Sequence, residues 1–306
     1  MSKKLRIIFM GTPEFAIPSL EILIKNGYSI MAVITAVDKP SGRGRRLTSS
    51  PVKKFALDHD IPVLQPKNLK NPEFLETLKG YEANLQVVVA FRMLPEMVWS
   101  MPDLGTFNLH ASLLPQYRGA APINWVLING EKKTGLTTFF IRQEIDTGNI
   151  ILQEEGPIFP DDDAGTLHDR LMIKGAGLVL KTVRVIENGD YELIRQEEVP
   201  GMKMAPKITR DMCKIDWNQN QDEIYNLVRG LSPYPTAWTK IDEAIYKIYK
   251  VFPGEKKMLA DVGQYQTDNR TFLHIQCADG LINIEEWQPE GKRRMSPPEF
   301  FRGNKI

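Results

Sequence analysis

From residue 5 to about residue 180 the chain repeats one pattern: a short run of consecutive apolar, often β-branched residues, then a longer stretch whose apolar positions recur every three or four residues. Runs of the first kind read as buried strands and stretches of the second as amphipathic helices, so their alternation predicts strands joined by crossover helices into a mostly parallel sheet. The strands fall at 5–9, 30–37, 61–64, 85–90, 106–109, 137–141 and 150–153. Pro13 suits the first turn of the helix that follows the first strand, and Gly27 suits that helix's end. A long apolar-periodic stretch over 164–187 closes the region before Gly189-Asp190.

Beyond residue 190 the texture changes. Residues 191–207 are polar and punctuated by proline, a helix is predicted over 221–231, and alternating segments follow at 244–251 and 272–277. Turn signals at Pro253-Gly254, Asp279-Gly280 and Pro289-Glu290-Gly291 recur at the spacing of a small barrel. The prediction is an α/β, Rossmann-like domain over 1–189, a linker over 190–206, and a smaller, mostly β domain over 207–306. A length of 306 residues agrees with two domains.

Charge and composition narrow the function by exclusion. Thirty-nine Lys and Arg against 38 Asp and Glu leave a net charge of +1, so no global field draws the chain to nucleic acid or an anionic membrane, and any polyanion site must be local. The longest apolar runs, such as 87–91, are too short to span a bilayer, and Lys3, Lys4 and Arg6 lead into a strand rather than a signal-peptide core. A soluble, cytoplasmic protein is expected. Cys213 and Cys277 lie far apart without a Cys-x-x-Cys pattern, which argues for structural thiols and against a disulfide framework or a metal site. His59, His168 and His274 have no motif around them and read as surface or framework residues. Gly11-Thr12-Pro13 lacks the Gly-x-Gly-x-x-Gly fingerprint and reads as a tight strand-to-helix turn rather than a nicotinamide site.

Two segments carry candidate chemistry. Residues 39–54 hold Lys39, Arg43, Arg45, Arg46, Lys53 and Lys54, two glycines and no acid, and are expected to form a mobile cationic loop. Such a run is either a solvated face or a place to neutralise phosphates. In Asn108-Leu109-His110, on a strand, the amide and the imidazole project to the same face because side chains alternate with period two. That pair would stand at a strand's carboxyl end, where open α/β sheets place their ligands. Asp146, in Asp146-Thr147-Gly148, could orient or charge the ring. The alternative is an Asn and a His satisfied by local backbone, with the Asp in an Asx turn.

The ordered set of Asn108-Leu109-His110, Ser112-Leu113-Leu114-Pro115 and Asp146-Thr147-Gly148 closely resembles the folate-dependent formyltransferase family. Gly11-Thr12-Pro13-Glu14-Phe15, the glycine- and arginine-rich 39–47, Arg118-Gly119-Ala120-Ala121-Pro122-Ile123 and the basic 291–296 extend the resemblance to both ends of the chain, toward the members that act on charged initiator tRNA. The resemblance implies transfer of a formyl group from 10-formyltetrahydrofolate to the α-amine of methionine on initiator tRNA, with no metal. It implies Asn108, His110 and Asp146 as the catalytic group: Asn108 and His110 would stabilise the tetrahedral oxyanion, and Asp146 would set the charge state of His110. Ser112, Leu113, Leu114 and Pro115 would line the folate site. Ala90-Phe91-Arg92-Met93-Leu94 departs from the Ala-Tyr-Gly common in that branch and resembles the pterin-holding loop of glycinamide ribonucleotide formyltransferase, which implies folate contacts from Phe91, Arg92, Met93 and Leu94. Lys39, Arg43, Arg45 and Arg46 would meet the tRNA, and the C-terminal domain would be an open OB-type barrel that grips it. Two rivals follow: the same chemistry on a sugar-nucleotide amine or glycinamide ribonucleotide, and a non-catalytic folate- or nucleic-acid-binding protein.

Overall fold

The computed structural model describes residues 4–41, 46–198 and 200–306, the side chains of Ser41 and Arg46 excepted. Two compact units interleave along the chain: Met1–Arg118, Gly135–Gly156 and His168–Lys203 form the first, and Gly119–Thr134, Pro157–Leu167 and Met204–Ile306 the second.

The sheet of the first unit has seven strands: β1 (Arg6–Gly11), β2 (Ser29–Ile34), β3 (Val63–Leu64), β4 (Leu85–Val89), β5 (Thr106–His110), β6 (Lys133–Phe140) and β7 (Ile150–Pro157). Their order is β7-β6-β5-β4-β1-β2-β3. From β3 through β1 to β5 every pairing is parallel, and β6 runs antiparallel to β5. The chain winds outward one way from β1 to β2 and the other way from β4 to β5, so the crevice between the carboxyl ends of β1 and β4 is the place where such sheets accept ligands. Ile7, Ile8, Phe9 and Met10 are fully buried, and all of β4 is buried, because helices cover both faces of a parallel sheet.

Three differences from expectation have physical causes. β6 begins four residues early, at Lys133, across Gly135; that glycine is required because a Cβ there would lie 2.2 Å from the Glu154 carbonyl and 2.4 Å from Leu113. β7 runs four residues past its expected end at 153, to Pro157, with alternating exposure, because its polar residues lack the continuous apolar run by which buried strands are read. The cationic segment is shorter than its charge run: Lys39–Ser41 pairs antiparallel with Arg46–Thr48, and Pro51–Leu57 is a helix capped by Ser50, whose Oγ accepts from the Lys53 N–H at 3.0 Å. The Lys53 ammonium binds Asp38 and Gln65, each at 2.7 Å, and its bond holds the Asp38 carboxyl below the usual carboxylate range.

The second unit is built on an antiparallel half-barrel consistent with an open OB-type fold: β8 (Ala237–Ile241), β9 (Ala244–Pro253), β10 (Tyr265–Thr267), β11 (Leu273–Gln276) and β12 (Leu281–Pro289), ordered β8-β9-β12-β11-β10. Its core centres on buried Trp287, stacked on Tyr246 at 4.7 Å. The helix Gln221–Leu231 forms where predicted, with a reciprocal capping box between Asn220 and Glu223. A single cut at 190–206 does not separate the packed units. The helix Pro122–Ile128 packs on Gln221–Leu231, with Asn124 Nδ2 donating to the Gly230 carbonyl at 2.7 Å, and the Tyr225 hydroxyl donates to the Pro160 carbonyl at 2.8 Å. Burial pushes both thiols, Cys213 and Cys277, above their ordinary range. Among the described residues no helix is long and apolar enough to cross a membrane.

Candidate active site

Asn108, His110 and the tight exits of β1 and β4 meet at the carboxyl ends of the central strands. β1 ends at Gly11, where a Cβ would lie 2.7 Å from Ala16 and 3.1 Å from the Val89 carbonyl, so only glycine permits this tight exit beside β4. β4 passes into Ala90, held at a φ of 49°. β5 brings Asn108 beside Val88 and Leu109 beside Val89, so His110 projects just past the end of β4. Asn108 is half-buried and His110 buried, on the face that period two predicts. The described residues give the Asn108 amide no hydrogen-bond partner.

His110 is fixed from two sides. Its Nε2 lies 2.8 Å from the Tyr117 carbonyl, which can only accept, so Nε2 carries the hydrogen. Its Nδ1 faces Asp146 Oδ2 across 3.8 Å, within ion-pair reach but beyond a hydrogen bond. With Nε2 engaged by Tyr117, Nδ1 is the ring nitrogen turned toward Asp146. Asp146 has a φ of 55°, in a turn whose Gly148 has no room for a Cβ, which would sit 1.6 Å from the Phe140 carbonyl. That close approach ties the turn to the end of β6.

The loop after β5 is prebuilt. Ser112 is fully buried and its Oγ donates to the Gln116 carbonyl at 2.7 Å. Thr137 of β6 donates to the Ser112 carbonyl at 2.7 Å and accepts from the Leu114 N–H at 3.1 Å and from Gln153 Nε2 at 2.9 Å. Leu114, which precedes a cis peptide bond to Pro115, packs with Phe139 and Ile150, and half-buried Leu113 fills the space left by Gly135. Thr137 and Gln153 were missed in the sequence, although an inward-facing Thr on an apolar strand is a visible signal.

The loop after β4 divides. Leu94 is buried with Met10, Val88 and Val98, and Phe91 packs on that cluster. Met93 is 70% exposed. Arg92 turns its guanidinium to the carbonyls of Pro66 and Lys67. Lys39 is exposed at the foot of the two-stranded ribbon; Arg43 and Arg45 lie outside the described residues, and Arg46 is described by its backbone alone. Among the described residues no group of three or more His, Cys, Asp or Glu side chains is placed to hold a metal ion.

In the second unit, the outer faces of β8 and β9 bring a tryptophan together with lysines. Trp238 stands opposite Lys247, with Lys240 two residues along, and Arg210 and Lys214 each lie 5.9 Å from the Trp238 ring. Basic groups interleaved with an aromatic form a surface suited to a nucleic-acid backbone with exposed bases.

The chain resembles known proteins over nearly its whole length. A family model described as formyl transferase matches residues 3–183, and a second, described as formyl transferase, C-terminal domain, matches residues 207–305. A methionyl-tRNA formyltransferase of Azobacteroides pseudotrichonymphae is 52% identical over 99% of this chain and 97% of its own length. One of Flavobacterium johnsoniae is 52% identical over 98% and 96%. Among solved structures, a sugar 3-N-formyltransferase crystallised in the presence of dTDP and 5-N-formyltetrahydrofolate superposes with a TM-score of 0.69 at 23% identity, covering 95% of this chain and 100% of that one, a likeness of fold.

Proposed function

The chain belongs to the formyl transferase family, among its methionyl-tRNA formyltransferases, and from that premise we propose how its residues carry the reaction. The reaction moves the formyl group of 10-formyltetrahydrofolate to the α-amine of methionyl-tRNA; the charged tRNA is the initiator species, and the work is done in the cytoplasm. The amine attacks the formyl carbon, a C–N bond forms, and the carbonyl oxygen takes up the negative charge. Collapse of that intermediate breaks the bond to N10 of the folate, which leaves with a proton while the amine loses one.

Each side chain has a role in that sequence. Asn108, with an amide not engaged by the described residues, donates to the developing oxyanion. His110, whose Nε2–H is held by Tyr117, presents Nδ1 to the reacting atoms and moves the proton there. Asp146 stabilises the imidazolium across the 3.8 Å gap. The Ser112–Pro115 loop and the Phe91–Leu94 loop bracket the folate through backbone groups and apolar walls, with Arg92 acting by bracing its loop against Pro66 and Lys67. The Trp238 face, with Lys39, Arg43, Arg45 and Arg46, meets tRNA phosphates and bases.

The observation that carries this reading is the grouping of Asn108, His110 and Asp146 at the end of a buried strand. The test is formyl transfer from 10-formyltetrahydrofolate offered in turn to methionyl-tRNA, an amino-sugar nucleotide and glycinamide ribonucleotide. Transfer to methionyl-tRNA alone is expected. Preferred transfer to either small amine would overturn the assignment of the acceptor.

A further inference from the structure

Within the stretch that reads as a linker, Ile194 and Gln196 are bound beside the proposed active site. Ile194 exchanges two backbone hydrogen bonds with Ile150 at the start of β7, at 2.8 and 3.0 Å. Two residues later that pairing delivers the Gln196 amide to the Asp146 turn. Gln196 Nε2 donates to the carbonyl of Asp146 at 2.9 Å and to that of Gly148 at 2.7 Å. Its Oε1 accepts a fork from Arg118, Nε at 3.1 Å and Nη2 at 2.7 Å. The amide's two hydrogens and its oxygen are thus all in use. Arg118, the anchor, is buried.

We infer that Gln196 is a positioning residue for formyl transfer, acting through Asp146: its amide clamps both shoulders of the Asp146-Thr147-Gly148 turn and so sets where the carboxylate stands against His110. The inference rests on the catalytic reading of Asp146 given above. Asp146 sits in the left-handed region, which is uncommon for residues other than glycine although aspartate enters it more readily than most. Gly148 against the Phe140 carbonyl fixes one side of the turn, and the Gln196 fork supplies the other. The carboxylate 3.8 Å from Nδ1 acts on the ring through a Coulomb attraction whose strength follows from where the turn holds it. Two classes of role are distinguishable: a clamp on Asp146 affects turnover, whereas mere glue between segments affects stability.

Gln196→Met keeps the side chain's length and removes every one of these hydrogen bonds; Gln196→Glu keeps the acceptor for Arg118 and removes only the two donors. Steady-state kinetics with 10-formyltetrahydrofolate and methionyl-tRNA, in the wild-type and the Asp146→Asn backgrounds, test the inference, with thermal melting alongside. Both variants are expected to lower kcat roughly 10- to 100-fold, as a misplacement on the order of an ångström does, with both KM values within about threefold of wild type. In the Asp146→Asn background the same substitutions are expected to add less than about threefold, because residues acting as one unit are not additive. Wild-type kcat in the folded variants, or a loss that multiplies fully with Asp146→Asn, overturns the inference. If Gln196→Met fails to fold, Gln196→Glu is read by the same criteria. Near-wild-type turnover by Asp146→Asn itself would instead remove the reading of Asp146 and the inference with it, so the two failures are told apart.

Discussion

The two sheets solve opposite problems with similar residues. In β1 and β4 nearly every side chain is buried, so these strands have no exposed row. In β9 buried Tyr246, Ile248 and Val251 alternate with exposed Lys247, Lys250 and Phe252, and a whole face stays available to a partner. A sheet covered on both sides concentrates chemistry at one edge; a sheet covered on one side spreads a docking surface.

That contrast can be broken from either side. The largest effect is expected at Trp287, which is fully buried at the centre of the second unit. Trp287→Ala should cost about 3–5 kcal/mol of that unit's stability and weaken tRNA binding, while folate affinity holds; denaturation followed by fluorescence, with folate and tRNA titrations, reads both. Parallel loss of folate binding would show that the division of labour is wrong.

Next in size is Thr137→Val, which removes the hydroxyl that serves Ser112, Leu114 and Gln153. Leaving such buried groups unpaired costs about 1–3 kcal/mol, so KM for the folate should rise roughly tenfold with KM for tRNA unchanged. A change in tRNA KM alone would detach this loop from the folate.

Smaller still is the effect of Arg210→Ala and Lys214→Ala beside Trp238. Each should reduce the slope of log affinity for tRNA against log salt by about 0.7–0.9 for every phosphate left without its cation, with turnover at saturating tRNA unaltered. Unchanged slopes would move the tRNA surface elsewhere.

The smallest concerns His274 on β11. Burial holds its imidazole below the ordinary histidine range, so the folded state prefers the neutral ring and binds fewer protons than the unfolded chain. Stability of the second unit should therefore be full above about pH 6.5, the unfolded value, and decline as the pH falls from there toward the lowered folded value. His274→Gln should flatten the decline, which melting curves between those limits would reveal.

Regular elements were legible where local and tertiary signals agreed. The helix Gln221–Leu231 is readable to the residue because Asn220 and Glu223 announce its start and its apolar period is strong. Asn108 and His110 were legible as a pair because a strand's period needs no tertiary information. The approach of Asp146 was not, since it depends on Gly148 lodging against Phe140 and on an amide fifty residues onward in sequence. The interleaving of Gly119–Thr134 and Pro157–Leu167 with the C-terminal unit was invisible for the same reason: helix-on-helix packing such as that of Asn124 on Gly230 leaves no periodic mark.

The central claim is that chemistry resides in Asn108, His110 and Asp146 at the end of β5. Rapid-quench, single-turnover formyl transfer to methionyl-tRNA, with folate and tRNA bound to saturation, tests it most directly. Asn108→Ala, His110→Ala and Asp146→Asn, each shown folded by circular dichroism, are predicted to slow the transfer step roughly 100- to 1,000-fold, because each group acts mainly on charge that appears in the transition state. Transfer at near-wild-type rates in all three would contradict the account and place the reaction at another part of the cleft.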